Sequence, residues 1–306
     1  MRILFVATGD IAIPSFRRLI ECGMQPLALV TQPDKPVGRH QRLTPPAIKL
    51  IASEADIPVF QPERIGDIAE KLSLYQPEVI VVMAYGQILR RNIIDLPQKA
   101  IINVHASLLP EYRGAACIQA AIAAGDAESG VTVIHIIREL DAGDMLVKQA
   151  VSISPDETGG SLHDKLAELA PNALIEALDQ IDRGISNRTA QDPARVTYVS
   201  KLERADGKID WLRPAIEIER QIRAYDPWPG TFALARTPDS SMRIKIFPPV
   251  QLTDADLTPG EIQMAGGFIH VGCGSGSLVL NFLQPEGSRR MSAGEFYNGR
   301  KIVRFE

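Results

Sequence analysis

The chain has 306 residues, 45% of them hydrophobic and 23% charged, with a formal net charge of −4 and a pI of about 5.8. That length exceeds one average domain and supplies apolar side chains for two cores, while the acidic balance excludes a uniformly basic nucleic-acid binder but allows a local basic surface. Cys22, Cys117 and Cys273 are too few and too scattered for a disulfide framework or a zinc cluster, which fits a reducing compartment.

The opening Met1-Arg2-Ile3-Leu4-Phe5-Val6 enters a strand without a signal or transit pattern, and no apolar run is long enough to span a bilayer. The expected location is therefore cytoplasmic, with no membrane partner. Residues 2–7 read as a continuous apolar strand. Ile11, Ile13, Phe16, Leu19 and Ile20 then predict a helix entered near Pro14. Further buried strands are predicted at 27–31, 79–83, 101–104 and 131–137, separated by helices such as 46–55 and 115–124. This alternation predicts a doubly wound α/β domain.

Ser161 is expected to cap a long amphipathic helix together with Asp164. Leu162, Leu166, Leu169, Leu174, Leu178 and Ile181 lie on one face of that helix, and Gly184 stops it. The polar stretch around Pro193 predicts a linker over 189–206, between a first domain over 1–188 and a second over 207–306. After a short helix at 215–224, brief strands with Gly/Pro turns predict a small β-barrel. Residues 207–306 carry a net +1 against −5 for the rest. Arg243, Lys245, Arg289, Arg290, Arg300, Lys301 and Arg304 can form a basic face there, or be spread over an evenly solvated surface.

The richest stretch is Asn103-Val104-His105-Ala106-Ser107-Leu108-Leu109-Pro110-Glu111-Tyr112-Arg113-Gly114, followed by Leu140-Asp141-Ala142-Gly143-Asp144. Two residues apart on a strand, Asn103 and His105 point to the same face. An amide can stabilise a developing oxyanion, an imidazole can take a proton near neutral pH, and Asp141 can hold and charge-stabilise that imidazole. These are parts of an acyl-transfer site, although a histidine at a strand end also serves as a hydrogen-bonded structural residue. His135 and His163 read as structural. No His/Cys/Asp spacing suits a metal, and Ala7-Thr8-Gly9-Asp10 lacks the glycine pattern of dinucleotide binding. The basic, Pro/Gly-punctuated segment 32–46 suits an element that closes over a phosphate-bearing substrate, or an ordinary solvated loop.

On these residues the chain resembles the 10-formyltetrahydrofolate-dependent formyltransferases. The likeness extends through Ala84-Tyr85-Gly86, Tyr198-Val199-Ser200-Lys201-Leu202, Ile209-Asp210-Trp211 and Asp226-Pro227-Trp228-Pro229-Gly230, the C-terminal motifs pointing to the members that formylate methionyl-tRNA. Gly9 departs from the proline usual there.

The resemblance implies a Rossmann-like catalytic domain followed by an OB-like barrel that binds tRNA. It implies transfer of a formyl group from 10-formyltetrahydrofolate to methionine on initiator tRNA by a metal-free, monomeric enzyme. It assigns catalysis to Asn103, His105 and Asp141. The folate co-substrate would be bound by Ser107, Leu108, Leu109, Pro110, Tyr85 and Gly86, and the tRNA by Lys35, Arg39 and Arg42. A sugar-nucleotide N-formyltransferase and a non-catalytic RNA-binding homologue are the alternatives.

Overall fold

The computed structural model describes all residues except 39–40, 186–187, 239 and 301. Its described residues form two compact units, neither continuous in sequence: 1–114, 129–151 and 163–199 make the first, and 115–128, 152–162 and 200–306 the second.

Apolar β1 (Ile3–Ala7) leads through a 3-10 turn into α1 (Ile13–Glu21), which has Pro14 in its first turn and buries Phe16 and Leu19. Next come β2 (Ala28–Val30), β3 (Lys35–Val37), β4 (Arg42–Thr44), α2 (Ala47–Glu54) and β5 (Val59–Phe60). They are followed by α3 (Ala69–Ser73), β6 (Val79–Met83), α4 (Arg91–Ile94) and β7 (Ala100–His105). Beyond these lie β8 (Arg113–Gly114), α5 (Cys117–Ala124), β9 (Glu128–His135), β10 (Met145–Ser152), α6 (Gly159–Asp182) and β11 (Tyr198–Val199).

The main sheet runs β10-β9-β7-β6-β1-β2-β5. From β7 to β5 every pairing is parallel, and these strands are apolar on both faces because both are covered. By contrast, β9 runs antiparallel to β7. Periodicity marks such a strand as buried but carries no information about its direction. Leu4, Val6, Val30, Ile80, Val82, Tyr85 and Ile101 belong to one buried cluster of this unit.

Three local expectations are corrected. The long helix starts at Gly159 rather than Ser161. Thr158 does the capping, its Oγ1 accepting from Ser161 N at 3.1 Å and its N–H donating to Ser161 Oγ at 3.0 Å. Residues 35–37 and 42–44 are not plain loop but the two strands of an exposed antiparallel ribbon, β3 against β4, pairing Lys35 with Thr44 and Val37 with Arg42. The expected linker 189–206 divides between the units: 189–199 belong to the first, Thr189 bridging to Met145 and β11 pairing with β8, and 200–206 belong to the second.

The second unit adds α7 (Ala215–Ala224), then β12 (Thr231–Arg236), β13 (Ser241–Thr253), β14 (Ile262–Ala265), β15 (Phe268–Gly272) and β16 (Ser277–Pro285). It ends with β17 (Met291–Ser292), α8 (Ala293–Gly299) and β18 (Arg304–Phe305). Its sheet runs β14-β15-β16-β13-β12-β18, with β17 on β16. The edges approach closure where Glu261 bridges to Arg304 and Phe305 N donates to Gly260 O at 2.8 Å, giving the expected small barrel. Trp211, Ile218, Ile222, Ile244, Leu280 and Phe305 belong to its buried core. Among the described residues no helix is long and apolar enough to cross a membrane.

Candidate active site

The parallel strands carry the site at their C-terminal ends, where an open α/β sheet leaves a crevice. At the end of β7, Asn103 and His105 project to the same face, and the loop after β9 brings Asp141 to them. Asn103 Nδ2 donates to Asp141 Oδ1 at 3.3 Å, His105 Nδ1 stands 3.8 Å from Asp141 Oδ2, and the Gly114 N–H donates to Oδ2 at 2.9 Å. The side chains of His105 and Asp141 are only 6% and 10% exposed, so their electrostatics are weakly screened.

His105 Nε2 lies 3.0 Å from the Tyr112 carbonyl oxygen. A carbonyl only accepts, so Nε2 carries a hydrogen, and Nδ1, on the Asp141 side, is the ring nitrogen left to exchange a proton. A proton taken up at Nδ1 is then met by a buried negative charge. The second N–H of the Asn103 amide remains available to an oxyanion, since one donor engages Asp141.

The segment 107–110 adjoins this cluster. Thr132 Oγ1 donates to Ser107 O at 2.7 Å and accepts from Leu109 N at 3.1 Å, while Lys148 Nζ donates to Leu109 O at 2.7 Å. Ser107 Oγ donates to Glu111 O at 2.7 Å. Gly130 is required here: a Cβ on it would lie 2.4 Å from Leu108 Cδ2 and 2.2 Å from Gln149 O.

Tyr85 and Gly86 follow β6, the strand next to β7. The Tyr85 side chain packs into the core with its hydroxyl unpartnered, and burial pushes this phenol up to about 12. Its carbonyl accepts from Gln32 Nε2 at 2.8 Å. Gly9 donates its N–H to Ala84 O at 3.1 Å, a bond proline cannot make.

Lys35 and Arg42 sit on the exposed ribbon of β3 and β4, and Lys35 Nζ donates to Gln32 Oε1. Arg39 lies outside the described residues. The ribbon is rooted by Asp34, which accepts from Lys49 at 2.8 Å and from Gln61 at 2.6 Å; the Lys49 bond, then the Gln61 bond, holds its carboxyl below the usual range. His135 lies at the end of β9. Burial, then Arg188 nearby, lowers its pKa against the pull of Asp144, and its Nε2 is buried without a partner. Among the described residues no group of three His, Cys, Asp or Glu side chains could hold a metal.

Sequence reasoning missed Gln191 and Arg113. Gln191 Nε2 donates to Asp141 O at 2.7 Å and Gly143 O at 2.8 Å, and its Oε1 accepts from Arg113 Nε at 3.0 Å and Nη2 at 2.8 Å. A lone glutamine in a polar stretch has no signature, and its partners lie some fifty residues and more away in sequence.

Residues 1–178 match the formyl transferase family model and residues 201–301 the formyl transferase C-terminal domain. A methionyl-tRNA formyltransferase of Akkermansia muciniphila is 52% identical, across 98% of this chain and 96% of that protein. Two solved structures share the fold at low identity. An N-formyltransferase from Helicobacter canadensis, in complex with folinic acid and dTDP-3-aminofucose, gives a TM-score of 0.68 at 16% identity over 93% of this chain and 99% of that one. HypX from Aquifex aeolicus, in complex with tetrahydrofolic acid, gives 0.64 at 17% over 100% of this chain, which spans 50% of that chain. The chain belongs to the formyl transferase family, in its methionyl-tRNA formyltransferase branch.

Proposed function

We propose that the chain transfers the formyl group of 10-formyltetrahydrofolate to the α-amine of methionine esterified to initiator tRNA, in the cytoplasm and without a metal. The observation that carries the chemistry is a single buried carboxylate, Asp141, shared by Asn103 at 3.3 Å and His105 at 3.8 Å.

The neutral amine attacks the formyl carbon, and the carbonyl oxygen, becoming an oxyanion, takes the free N–H of Asn103. The attacking nitrogen now bears a positive charge and gives its proton to Nδ1 of His105. Asp141 stabilises the resulting imidazolium. His105 passes the proton to N10 of the folate, the C–N10 bond breaks, and the carbonyl re-forms as a formamide. Segment 107–110 would line the folate pocket with Tyr85 and Gly86, its main chain held in place by Thr132 and Lys148.

Two surfaces support tRNA as the acceptor. On the first unit the ribbon presents Lys35 and Arg42, with Arg39 between them in sequence. On the second, strand alternation puts Phe232, Arg243, Lys245, Phe247 and Phe282 on the outer face of the barrel sheet. Arg243 lies 3.5 Å from the Phe232 ring centroid, and Arg290 lies 4.5 Å and 4.7 Å from those of Phe247 and Phe282. Cations interleaved with aromatic rings suit phosphates and unstacked bases. The test offers purified protein and 10-formyltetrahydrofolate either charged initiator tRNA or an amino-sugar nucleotide. Formylation of the tRNA alone is expected, and preference for the sugar nucleotide would overturn the reading.

A further inference from the structure

We infer that Gln191, oriented by Arg113, is the positioning residue that holds Asp141 in its working place; the inference rests on the role given to Asp141 above. Asp141 has φ of 49°, in the left-handed region that a non-glycine residue enters only when its surroundings hold it there. Its side chain is fixed by Asn103 and Gly114. Its backbone is fixed by something else.

The carbonyls of Asp141 and Gly143 converge on one amide nitrogen, Gln191 Nε2, at 2.7 Å and 2.8 Å, which uses both of that nitrogen's hydrogens. At the other end of the amide, Oε1 receives two parallel bonds from the Arg113 guanidinium, at 3.0 Å and 2.8 Å. A guanidinium only donates and a carbonyl only accepts, so the amide can be satisfied in one orientation and not in the reverse.

Arg113 is itself held. It is 8% exposed, donates from Nη1 to the Tyr198 hydroxyl at 3.1 Å, and lies on β8, whose Arg113 pairs with Tyr198 and Gly114 with Val199 on β11. Residues 113 and 114 thus reach Asp141 by two routes: Gly114 N–H to the carboxylate, and Arg113 through Gln191 to the backbone. Gln191 is linked by these bonds to the loop rather than to the reacting atoms, so it acts by keeping the carboxylate where His105 and Asn103 can share it. A misplacement of about 1 Å at such a site costs on the order of 10²-fold in rate.

The test uses Gln191→Glu, which keeps the shape and the acceptor for Arg113 but turns an oxygen towards the two carbonyls, with Arg113→Lys as a second variant that keeps the charge and loses the paired bonds. Each is assayed with charged initiator tRNA and 10-formyltetrahydrofolate, alone and combined with Asp141→Asn. We expect kcat to fall about 10- to 100-fold with KM for both substrates within about twofold. In the Asp141→Asn background either change should add less than about threefold, because the group being positioned is already lost. Losses that multiply, or a fall confined to melting temperature with wild-type kcat, would overturn the clamp. Wild-type turnover by Asp141→Asn alone would instead remove the role of Asp141, whereas a slow Asp141→Asn beside a wild-type Gln191→Glu would remove only that of Gln191.

Discussion

In Gly114→Ala the added methyl group would meet the Val199 carbonyl oxygen at 2.1 Å, on a residue whose φ of +114° is already confined to glycine. The backbone strain is worth about 1–3 kcal/mol. Relieving the contact means drawing β8 away from β11, and with it the Gly114 N–H that stands 2.9 Å from Asp141 Oδ2. A hydrogen bond to a charged group contributes about 1.5–3 kcal/mol. At about 1.4 kcal/mol per decade, its loss from the transition state slows kcat roughly 10- to 150-fold. Single-turnover formylation of charged initiator tRNA at saturating folate reads this directly, and a thermal melt should show a fall of several degrees. Gly23→Ala is the control, since Gly23 has φ of +74° with nothing within 4 Å of the added Cβ, so it carries strain without a clash. It should lower the melt and leave kcat alone. Wild-type kcat in Gly114→Ala, or an equal kcat loss in Gly23→Ala, would refute the reasoning.

Four further outcomes are expected. Asn103→Asp should be slower than Asn103→Ala, because a second carboxylate beside Asp141 repels the oxyanion that the amide stabilises; pre-steady-state rates decide the order. His105→Ala should cut kcat on the order of 10²-fold or more with little change in either substrate's binding, measured by separating kcat from KM. Arg290→Ala and Arg42→Ala should each weaken tRNA use while sparing folate binding, and should each reduce the salt dependence of tRNA affinity by about one counterion, read from a salt series. Tyr85, raised to about 12 by burial, binds its proton more tightly folded than unfolded. Its contribution is therefore complete below about pH 10 and is lost as pH rises towards 12. Urea melts of wild type should weaken over that window by about 2–3 kcal/mol more than those of Tyr85→Phe.

Much of this was legible in the sequence because it is local. The five apolar residues of β6 and the amphipathic α7 match their predicted bounds, and Asn103 and His105 share a face by strand alternation alone. What escaped depends on distant pairing. β10 alternates irregularly between buried and exposed residues, giving no clean period, and the ribbon of β3 and β4 is exposed along its whole length, so no apolar pattern marks it. Thr158 rather than Ser161 caps α6 because both hydroxyls lie within one turn of the helix start, and only the backbone geometry selects between them. Gln191 reads in sequence as part of a polar connector, since nothing near it shows that two carbonyls and a guanidinium await it.

The discontinuous make-up of the second unit sets a timetable for synthesis. Helix α5 is made early, yet a partner within its own unit is α7, whose Arg220 donates to Ala124 O across 96 residues. At about 5–20 residues per second a nascent chain needs roughly 5–20 s to span that gap. Throughout that interval α5 lacks the α7 that it contacts in the finished protein. A chain split between 178 and 201, where the two family models leave a gap, puts α5 and α7 on different polypeptides. A fragment starting at 201 would then expose the α7 surface that α5 covers, so the second unit should be expressed together with residues 115–128 to fold.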